Sequence, residues 1–341
     1  MSPSSATRRL RALGRALGHG AADSTALVTA APAAADSPEA VQIAGMGDAL
    51  GIEFYLFCFT DLFGVLRSKL VPASAVRTIA TDGAGFAGFA AWMDMSPADG
   101  DVLCLPDPSS FTQLPWKKEV AWLACNPHHG VNSRHDGEEI DQAPRNVLRA
   151  QMAKFEAMGL ELKTGVELEF FLLDADDTSQ LSDPTDTAAK PCYDQAALMK
   201  RYDFIAELVS AMEALGWGPY QADHEDGNGQ FEINWEFDNA LVTADRHAFA
   251  KYMTKSIAEK HGYVASYMPK PFVDRAGSGL HAHITLHDET GANVFKEAGA
   301  GEYEVSPLGW CGGGQPTPCL VAIHPLPYEK RSFAKTGSGY I

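Results

Sequence analysis

Three short apolar segments of the chain carry acidic or imidazole side chains at every second position. Residues two apart in a β-strand project to the same side of a sheet, so each segment predicts a strand with its functional groups on one face. The side chains that share a face are Glu167 with Glu169, Glu232 with Asn234 and Glu236, and His281 with His283 and Thr285. Any fold for this chain must place these three polar faces against solvent or against a ligand.

A single pair of this kind is usually the solvated face of a half-exposed strand. Three such strands together indicate a site instead, because carboxylates on neighbouring strands repel one another unless a cation lies between them. Hard oxygen ligands favour Mg²⁺ or Mn²⁺, and an added imidazole shifts the preference slightly towards Mn²⁺ or a permissive Mg²⁺ site. The pattern therefore predicts a divalent-metal site.

Two polar loops adjoin these segments. Residues 223–230 contain two glycines and lead directly into the strand of Glu232, which places Glu225 within reach of the same metal, although the loop is equally consistent with a simple turn. The Gly-Ser-Gly of residues 277–279 precedes the histidines, where glycines allow backbone amides to approach a carboxylate or a phosphate.

The composition limits the classes of partner. A formal net charge of -17 with only 27 Lys and Arg argues against a nucleic-acid surface, which needs clustered cations. No apolar run approaches the roughly 20 residues that a membrane-spanning helix needs. The six cysteines form no CxxC pair, which favours free thiols in a reducing compartment over a disulfide or a zinc site.

The first 42 residues differ from the rest of the chain. They are rich in Ala and Ser, contain four arginines between residues 8 and 15, and have no acidic residue before Asp23. This pattern predicts a presequence for import into a plastid or mitochondrion. The alternatives are a disordered tail or a wrongly chosen start codon, and in those cases we expect a cytoplasmic protein.

Hydrophobic periodicity predicts a strand-rich unit over 43–140, followed by alternating strands and helices over 143–310. The first unit should contain a hairpin whose strands are separated at residues 61–64. The helices predicted in the second unit cover 147–155, 194–216 and 244–261, the last with Thr243 as its N-cap. The strands predicted there cover 164–173, 229–237 and 281–286.

The motifs, taken in order, resemble glutamine synthetase. They are Glu167-Leu-Glu169-Phe-Phe, His224-Glu225 through Gly229-Gln230-Phe231-Glu232, Met268-Pro-Lys-Pro271 and Gly277-Ser-Gly-Leu-His281-Ala-His283. The segments Asp61-Leu-Phe-Gly-Val-Leu-Arg67-Ser-Lys69 and Leu114-Pro-Trp116 are more similar to the type III glutamate-ammonia ligase branch. The resemblance runs from about residue 50 to about residue 310.

The resemblance implies an α+β protein with two folded parts. These are an N-terminal β-grasp domain over 43–140 and part of a glutamine synthetase catalytic domain over 143–310, which has a curved antiparallel sheet with flanking helices. In the family this sheet forms a funnel between neighbouring subunits of a homo-oligomeric ring.

The resemblance also implies a role for individual residues. Glu169, Glu225 and Glu232 would hold one metal ion, and Glu167 and His281 would hold part of a second. Gly277 would contact the substrate glutamate. The residues that would face the nucleotide are Phe237, His283 and Thr285. Asp61 would reach the site of the next subunit, where it would bind ammonium and deprotonate it.

The implied reaction is ATP-dependent formation of glutamine. ATP phosphorylates the γ-carboxylate of glutamate, and ammonia then attacks the acyl phosphate, with two or more Mg²⁺ or Mn²⁺ ions neutralising the phosphates. Two alternatives stay open. One is a γ-glutamyl alkylamide synthetase that uses an alkylamine in place of ammonia, and the other is an inactive fragment that binds only metal and nucleotide.

The chain departs from the family pattern at two points. Ala276 stands where the family usually has an asparagine before the Gly-Ser-Gly, and this affects one expected contact with glutamate. After about residue 310 the pattern ends, and residues 311–341 read as a tail unrelated to the family. We therefore expect a chain truncated or frameshifted after that point.

Overall fold

The computed structural model describes residues 35–130 and 135–296, together with the backbone of a short strand at Leu320–Ala322. The arginine-rich start and most of the predicted tail lie outside the described residues. The helices are α1 (Pro38–Leu50), α2 (Val76–Asp82), α3 (Pro144–Glu156), α4 (Gln195–Met199), α5 (Tyr202–Ala214) and α6 (Ala240–Lys260).

The strands fall into two sheets. The first contains β1 (Phe54–Thr60), β2 (Leu66–Pro72), β3 (Ala84–Phe86), β4 (Val102–Pro106), β5 (Thr112–Leu114) and β6 (Lys117–His129). The second contains β7 (Glu161–Asp174), β8 (Pro219–His224), β9 (Gln230–Trp235), β10 (Asp238–Asn239), β11 (Tyr263–Ser266), β12 (His281–His287) and β13 (Leu320–Ala322).

The first sheet is mixed, with the strand order β2-β1-β6-β4-β3 and with β5 paired to β6. The predicted hairpin is confirmed, because β1 and β2 pair antiparallel from Phe54 with Pro72 to Thr60 with Leu66. The strand β1 runs parallel to β6, and the other pairs are antiparallel. The β-grasp assignment of this sheet stays a prediction.

Helix α1 begins inside the range that the sequence predicts to be a presequence. Pro38 occupies the first turn, where its missing N–H leaves no helical bond unmade, and the Ser37 side chain accepts a hydrogen bond from the Ala40 amide. Residues 38–42 are therefore helical, and Ile43 is fully buried against the first sheet. The domain boundary itself stays a prediction.

The second sheet is antiparallel, with the strand order β13-β12-β7-β9-β8, and β10 and β11 also pair with β7. The 14-residue strand β7 is its centre and receives β9 on one side and β12 on the other. The predicted strands at 164–173, 229–237 and 281–286 are confirmed as β7, β9 and β12. The structure thus has mixed α/β content, with the curved sheet that the family implies.

Two helix predictions need correction. The single helix expected over 194–216 is two helices, because Arg201 leaves the helical conformation and its guanidinium bonds Ser182 in the facing loop. Helix α6 begins at Ala240 and not after Thr243, because Asn239 supplies the cap to the Leu241 amide. The Thr243 hydroxyl instead donates to the Thr164 carbonyl and ties the helix to β7.

The two sheets share one hydrophobic cluster. Trp122 from β6, Phe170 from β7 and Phe249 of α6 are all buried in it. The Phe249 ring is 5.3 Å from that of Trp122 and 5.9 Å from that of Trp217. Helix α6 therefore packs against both sheets and fixes the back of β7, whose front carries the acidic residues.

Candidate active site

Pairing across the second sheet places the acidic side chains in two rows. Residues directly opposite on antiparallel strands share a face. The first row contains Asp223 of β8, Glu232 of β9 and Glu169 of β7, which are successive partners. The second row contains Asn234 of β9, Glu167 of β7 and His281 of β12. We call these the two carboxylate rows.

Glu167 lies at the centre of the second row. Its carboxylate bonds the His281 Nδ1 at 2.5 Å and the His283 Nε2 at 2.8 Å. These hydrogen bonds, that of His281 above all, lower the pKa of Glu167 to about 2, and the bond to Glu167 raises the pKa of His281. Glu167 is therefore the carboxylate of the site that stays ionised most readily.

Glu232 has the opposite electrostatic environment. Burial, together with the negative charges of Glu167, Glu225 and Glu169, raises its pKa to about 8, while one hydrogen bond from the Asn234 side-chain amide, at 2.9 Å, acts against this. A carboxyl that holds its proton near neutral pH lies where a nearby positive charge would favour its ionised form.

Glu169, in the same row, is held in place by two donors. The Gln230 side-chain amide donates to it at 3.0 Å and the Gly279 backbone amide at 2.9 Å. Burial nevertheless raises the pKa of Glu169. The orientation of this carboxylate is thus fixed by the strand β9 on one side and by the Gly-Ser-Gly loop on the other.

Glu225 lies just beyond the end of β8, in a loop with a defined shape. The Asp226 amide donates to its carboxylate at 2.7 Å, and burial raises the pKa of Glu225. Below it, the fully buried His224 bonds Asp186 at 2.7 Å, and the same Asp186 accepts from the Gly229 amide at 2.6 Å. The loop of Glu225 is therefore anchored in the protein interior.

The chemistry of the predicted ligands suits a hard divalent cation. They are the carboxylates of Glu167, Glu169, Glu225 and Glu232 and the imidazole of His281, and the pKa values of Glu169, Glu225 and Glu232 are raised. The observed side-chain conformations are closed, because Glu167 is paired with His281 and His283. Over the described ranges no three His, Cys, Asp or Glu side chains stand in an arrangement that could hold a metal ion. Metal binding would require Glu167 to release its imidazole partners.

A cleft of about 450 Å³ opens beside the second row. It contains the three residues predicted to face the nucleotide, Phe237, His283 and Thr285, and it reaches Glu167. Tyr220 and Trp235 complete an aromatic wall, and more than half of the Phe237 side chain is exposed. The structure thus brings the predicted nucleotide residues together, with a predicted metal ligand in the lining of the same cleft.

Gly277, the residue predicted to contact glutamate, lies beneath Glu169. Its carbonyl accepts from Gln230 at 3.1 Å, and a Cβ at this position would lie 2.5 Å from the Pro269 carbonyl oxygen. Only glycine fits this close approach of two backbone segments. The residue therefore shapes the loop that orients Glu169.

Asp61 is not brought to the carboxylate rows of its own chain. It is fully buried at the turn between β1 and β2, where it accepts from the amides of Phe63 and Val65 and from Arg67, all at 2.8–2.9 Å. These contacts make it an anchor of the hairpin turn. Its expected action on ammonium in a neighbouring subunit stays a prediction.

Sequence reasoning overlooked several residues of the site. Asp223 forms a fourth pair at two-residue spacing, with Glu225, and this spacing could have revealed it. Gln230 is almost fully buried and orients Glu169. Tyr193 has a φ of 64°, rare for a non-glycine residue, and the neighbouring Cys192, followed by the Glu225 carboxylate, raises the pKa of its phenol. No local sequence pattern identifies Tyr193 as a residue of the site.

The described helices include none that is both long and apolar enough to cross a membrane.

The family model for the glutamine synthetase catalytic domain matches residues 141–315. A glutamine synthetase from Rhizobium leguminosarum bv. phaseoli is 54% identical over 247 residues, which are 72% of this chain and 55% of that protein. A glutamate–methylamine ligase from Methyloversatilis universalis is 41% identical over 250 residues, with the same two coverages.

Among solved structures, a complex of GmaS with ADP has a TM-score of 0.74 and 54% identity, and the match covers 79% of this chain and 60% of that one. The chain thus spans about half the length of the curated relatives it matches.

Proposed function

Because this chain belongs to the glutamine synthetase catalytic-domain family, we propose that it is the ATP- and metal-binding part of a ligase that joins an amine to the γ-carboxylate of glutamate. One observation carries the proposal. The aromatic cleft with Phe237, His283 and Thr285 is also lined by Glu167, which belongs to the second carboxylate row. A nucleotide lying in this cleft would present its phosphates to the cluster of carboxylates.

In the proposed site Glu169, Glu225 and Glu232 hold one divalent cation, and Glu167 and His281 contribute to a second. Mg²⁺ or Mn²⁺ bound there would neutralise the phosphate charge during transfer to glutamate. Gly277 and its loop would face the glutamate, and the N-terminal sheet would be the β-grasp domain that carries Asp61 to the next subunit of a ring.

The nucleotide part of the proposal can be tested with one aromatic residue. Phe237→Ala should weaken the binding of ATP in the presence of Mn²⁺ by about 5- to 150-fold, because stacking of a base on an aromatic ring contributes about 1–3 kcal/mol. Titration with a fluorescent ATP analogue measures this. Phe89→Ala is the matched control, since Phe89 is about equally exposed but lies in a short 3-10 helix, Gly88–Ala91, which follows β3 of the first sheet. Equal affinity of both variants would place the nucleotide elsewhere.

The amine is proposed to be ammonia, with a short alkylamine as the second candidate. The second candidate is favoured by the 54% identity to GmaS and the 41% identity to a glutamate–methylamine ligase, and the first by the 54% identity to a glutamine synthetase. Because substrate choice depends on few contacts, these similarities support both.

The test is a direct competition. The purified 341-residue chain is given ATP, Mg²⁺ or Mn²⁺, glutamate and equal concentrations of ammonium and methylammonium, and the products are separated by mass. Glutamine in excess supports ammonia as the substrate, and γ-glutamylmethylamide in excess supports the alkylamine. If neither product forms while ATP and Mn²⁺ bind, the chain is a binding fragment, which was the third possibility raised by the sequence.

A further inference from the structure

Two buried oxygen atoms beside Glu232 accept no hydrogen bond. They are the Oδ1 atoms of Asp223 and Asn234, and both are inaccessible to solvent. Asn234 is 2% exposed, so its amide group cannot turn to water. A buried acceptor without a donor destabilises a protein, so two of them on one face of a sheet require an explanation.

Both atoms belong to the face of the carboxylate rows. Asp223 is the direct partner of Glu232 across the β8–β9 pairing. Asn234 lies two residues after Glu232 on β9 and directly opposite Glu167, and its side-chain nitrogen donates to Glu232. The two oxygens therefore lie on either side of the Glu232 carboxylate, one across the sheet and one along the strand.

An exchanged assignment of the Asn234 amide does not remove the problem. If the nitrogen and oxygen were swapped, the oxygen would face the Glu232 carboxyl oxygen at 2.9 Å, and two acceptors would be in contact whenever Glu232 is ionised, which is the form that binds a cation. The orientation with the nitrogen towards Glu232 is the favourable one, and it leaves Oδ1 without a donor. Asp223 has only oxygens to offer in its ionised form.

We propose that Asp223 and Asn234 position the cation held at Glu232, by accepting hydrogen bonds from the water molecules bound to that cation. The inference rests on the metal site of the proposed function and adds two residues to it. Cation-bound water is a strong donor, so it satisfies both orphan oxygens at once, and it does so only when the metal is present. Acting on the cation through its bound water would make both of them positioning residues.

The test measures Mn²⁺ binding directly, from the electron paramagnetic resonance signal of free Mn²⁺ during titration of the full chain. Asp223→Leu and Asn234→Leu keep the branched shape and the number of heavy atoms of the side chain and remove the oxygens, and Asn234→Leu also removes the amide that donates to Glu232. Loss of such supporting contacts typically weakens metal binding 10–100-fold, and we expect each variant to fall in this range. Asp223→Asn and Asn234→Asp, which keep an oxygen, should recover most of the affinity. Asp203→Asn, on the exposed side of α5, controls for the loss of one negative charge.

A purely structural role predicts a different result. If the two side chains only stabilise the fold, both leucine variants should lower the melting temperature of the metal-free chain and leave the Mn²⁺ affinity unchanged, and the inference would be wrong. If they act on the metal, the metal-free melting temperature should stay level or rise, and the increase produced by Mn²⁺ should shrink. If the unaltered chain binds no Mn²⁺, the proposed metal site itself fails, and this outcome is distinct from the first.

Discussion

Glu232 shows how a single buried carboxyl ties stability to pH. Its pKa lies near 8 in the folded chain, against an ordinary value of 4.5. Between these two pH values the folded state keeps a proton that the unfolded state has released. The contribution of Glu232 is therefore complete below about pH 4.5 and is lost as the pH rises towards 8.

We predict that the metal-free chain, kept in a chelator, loses stability between pH 5 and pH 8, and that Glu232→Gln removes part of this loss. The variant should gain about 1–3 kcal/mol relative to the unaltered chain over this range, because glutamine cannot ionise. Urea unfolding at several pH values measures the difference. Asp223, with a pKa near 6, adds a loss of the same sign to both proteins, and His247, with a pKa near 4, opposes it. Parallel pH profiles of the two proteins would contradict the prediction.

Gly277 provides a second prediction at the scale of one residue. Gly277→Ala should destabilise the chain by about 1–3 kcal/mol, because the added methyl group would overlap the Pro269 carbonyl, and backbone cannot move aside as a side chain can. Gly45→Ala is the control. Gly45 is an exposed residue of α1 with open space around its Cα, so alanine there should be neutral or stabilise by up to about 1 kcal/mol. Thermal unfolding of both variants compares them.

At this scale the sequence predicted which side chains share a strand face but not which strands are neighbours. The two-residue spacing was enough to group Glu167 with Glu169. It could not show that Asp223 lies opposite Glu232, because that depends on the β8–β9 register, which is set by a loop and by packing. Asp61 was predicted to be catalytic, and only the folded hairpin revealed how fully Arg67 and the turn amides occupy its carboxylate.

Among the elements, α3 connects the two sheets through one buried cation. Arg145 is 8% exposed and bonds Asp107 next to the first sheet and Asp245 of α6, each at 2.8 Å, and it also donates to Asn126 of β6. The guanidinium thereby holds the ends of three elements in one arrangement. Burial is tolerable because each charge has a partner.

Arg145→Met should lower the free energy of unfolding by about 3–5 kcal/mol, because it leaves Asp107 and Asp245 facing each other without a counter-charge. Arg149→Met is a matched control on the same helix. Arg149 pairs with Glu139 at the surface, where an ion pair contributes at most about 1 kcal/mol. Equal losses in urea unfolding would show that the Arg145 pairs contribute no more than a surface pair.

Helix existence was easier to predict than helix ends. The apolar period over 194–216 was real, since Phe204, Leu208 and Met212 are buried, but the period does not register the break at Arg201. The break depends on contacts with a distant loop, and Thr243 likewise bonds the Thr164 carbonyl instead of capping its helix. Tertiary contacts thus decided the boundaries that local preference left open.

In the molecule as a whole, one hydrophobic cluster contains side chains from both sheets. Hydrophobic periodicity predicted a division near residue 140 but did not reveal that Trp122 of the first sheet packs on Phe249 of α6 beneath the second. Sequence patterns cannot show this, because each strand has an apolar face whichever partner covers it.

Trp122→Ala should therefore destabilise both sheets together, by about 3–5 kcal/mol. Unfolding followed by far-ultraviolet circular dichroism and by the fluorescence of a dye on Cys192, which lies near the carboxylate rows, should give coincident transitions in the variant and in the unaltered chain. Two separated transitions would show that the sheets unfold independently.

The position of Trp235 allows binding in the cleft to be followed by tryptophan fluorescence. Its indole lines the cleft beside Phe237, and its ring lies 5.6 Å from that of Trp217 inside the shared cluster. Excitation energy absorbed by Trp217 can transfer to Trp235, which lines the cleft, over such a distance. A molecule that binds in the cleft should change the intrinsic tryptophan fluorescence of the protein. Occupancy of the site could therefore be followed in real time, without an added label, from the wavelength and intensity of this emission.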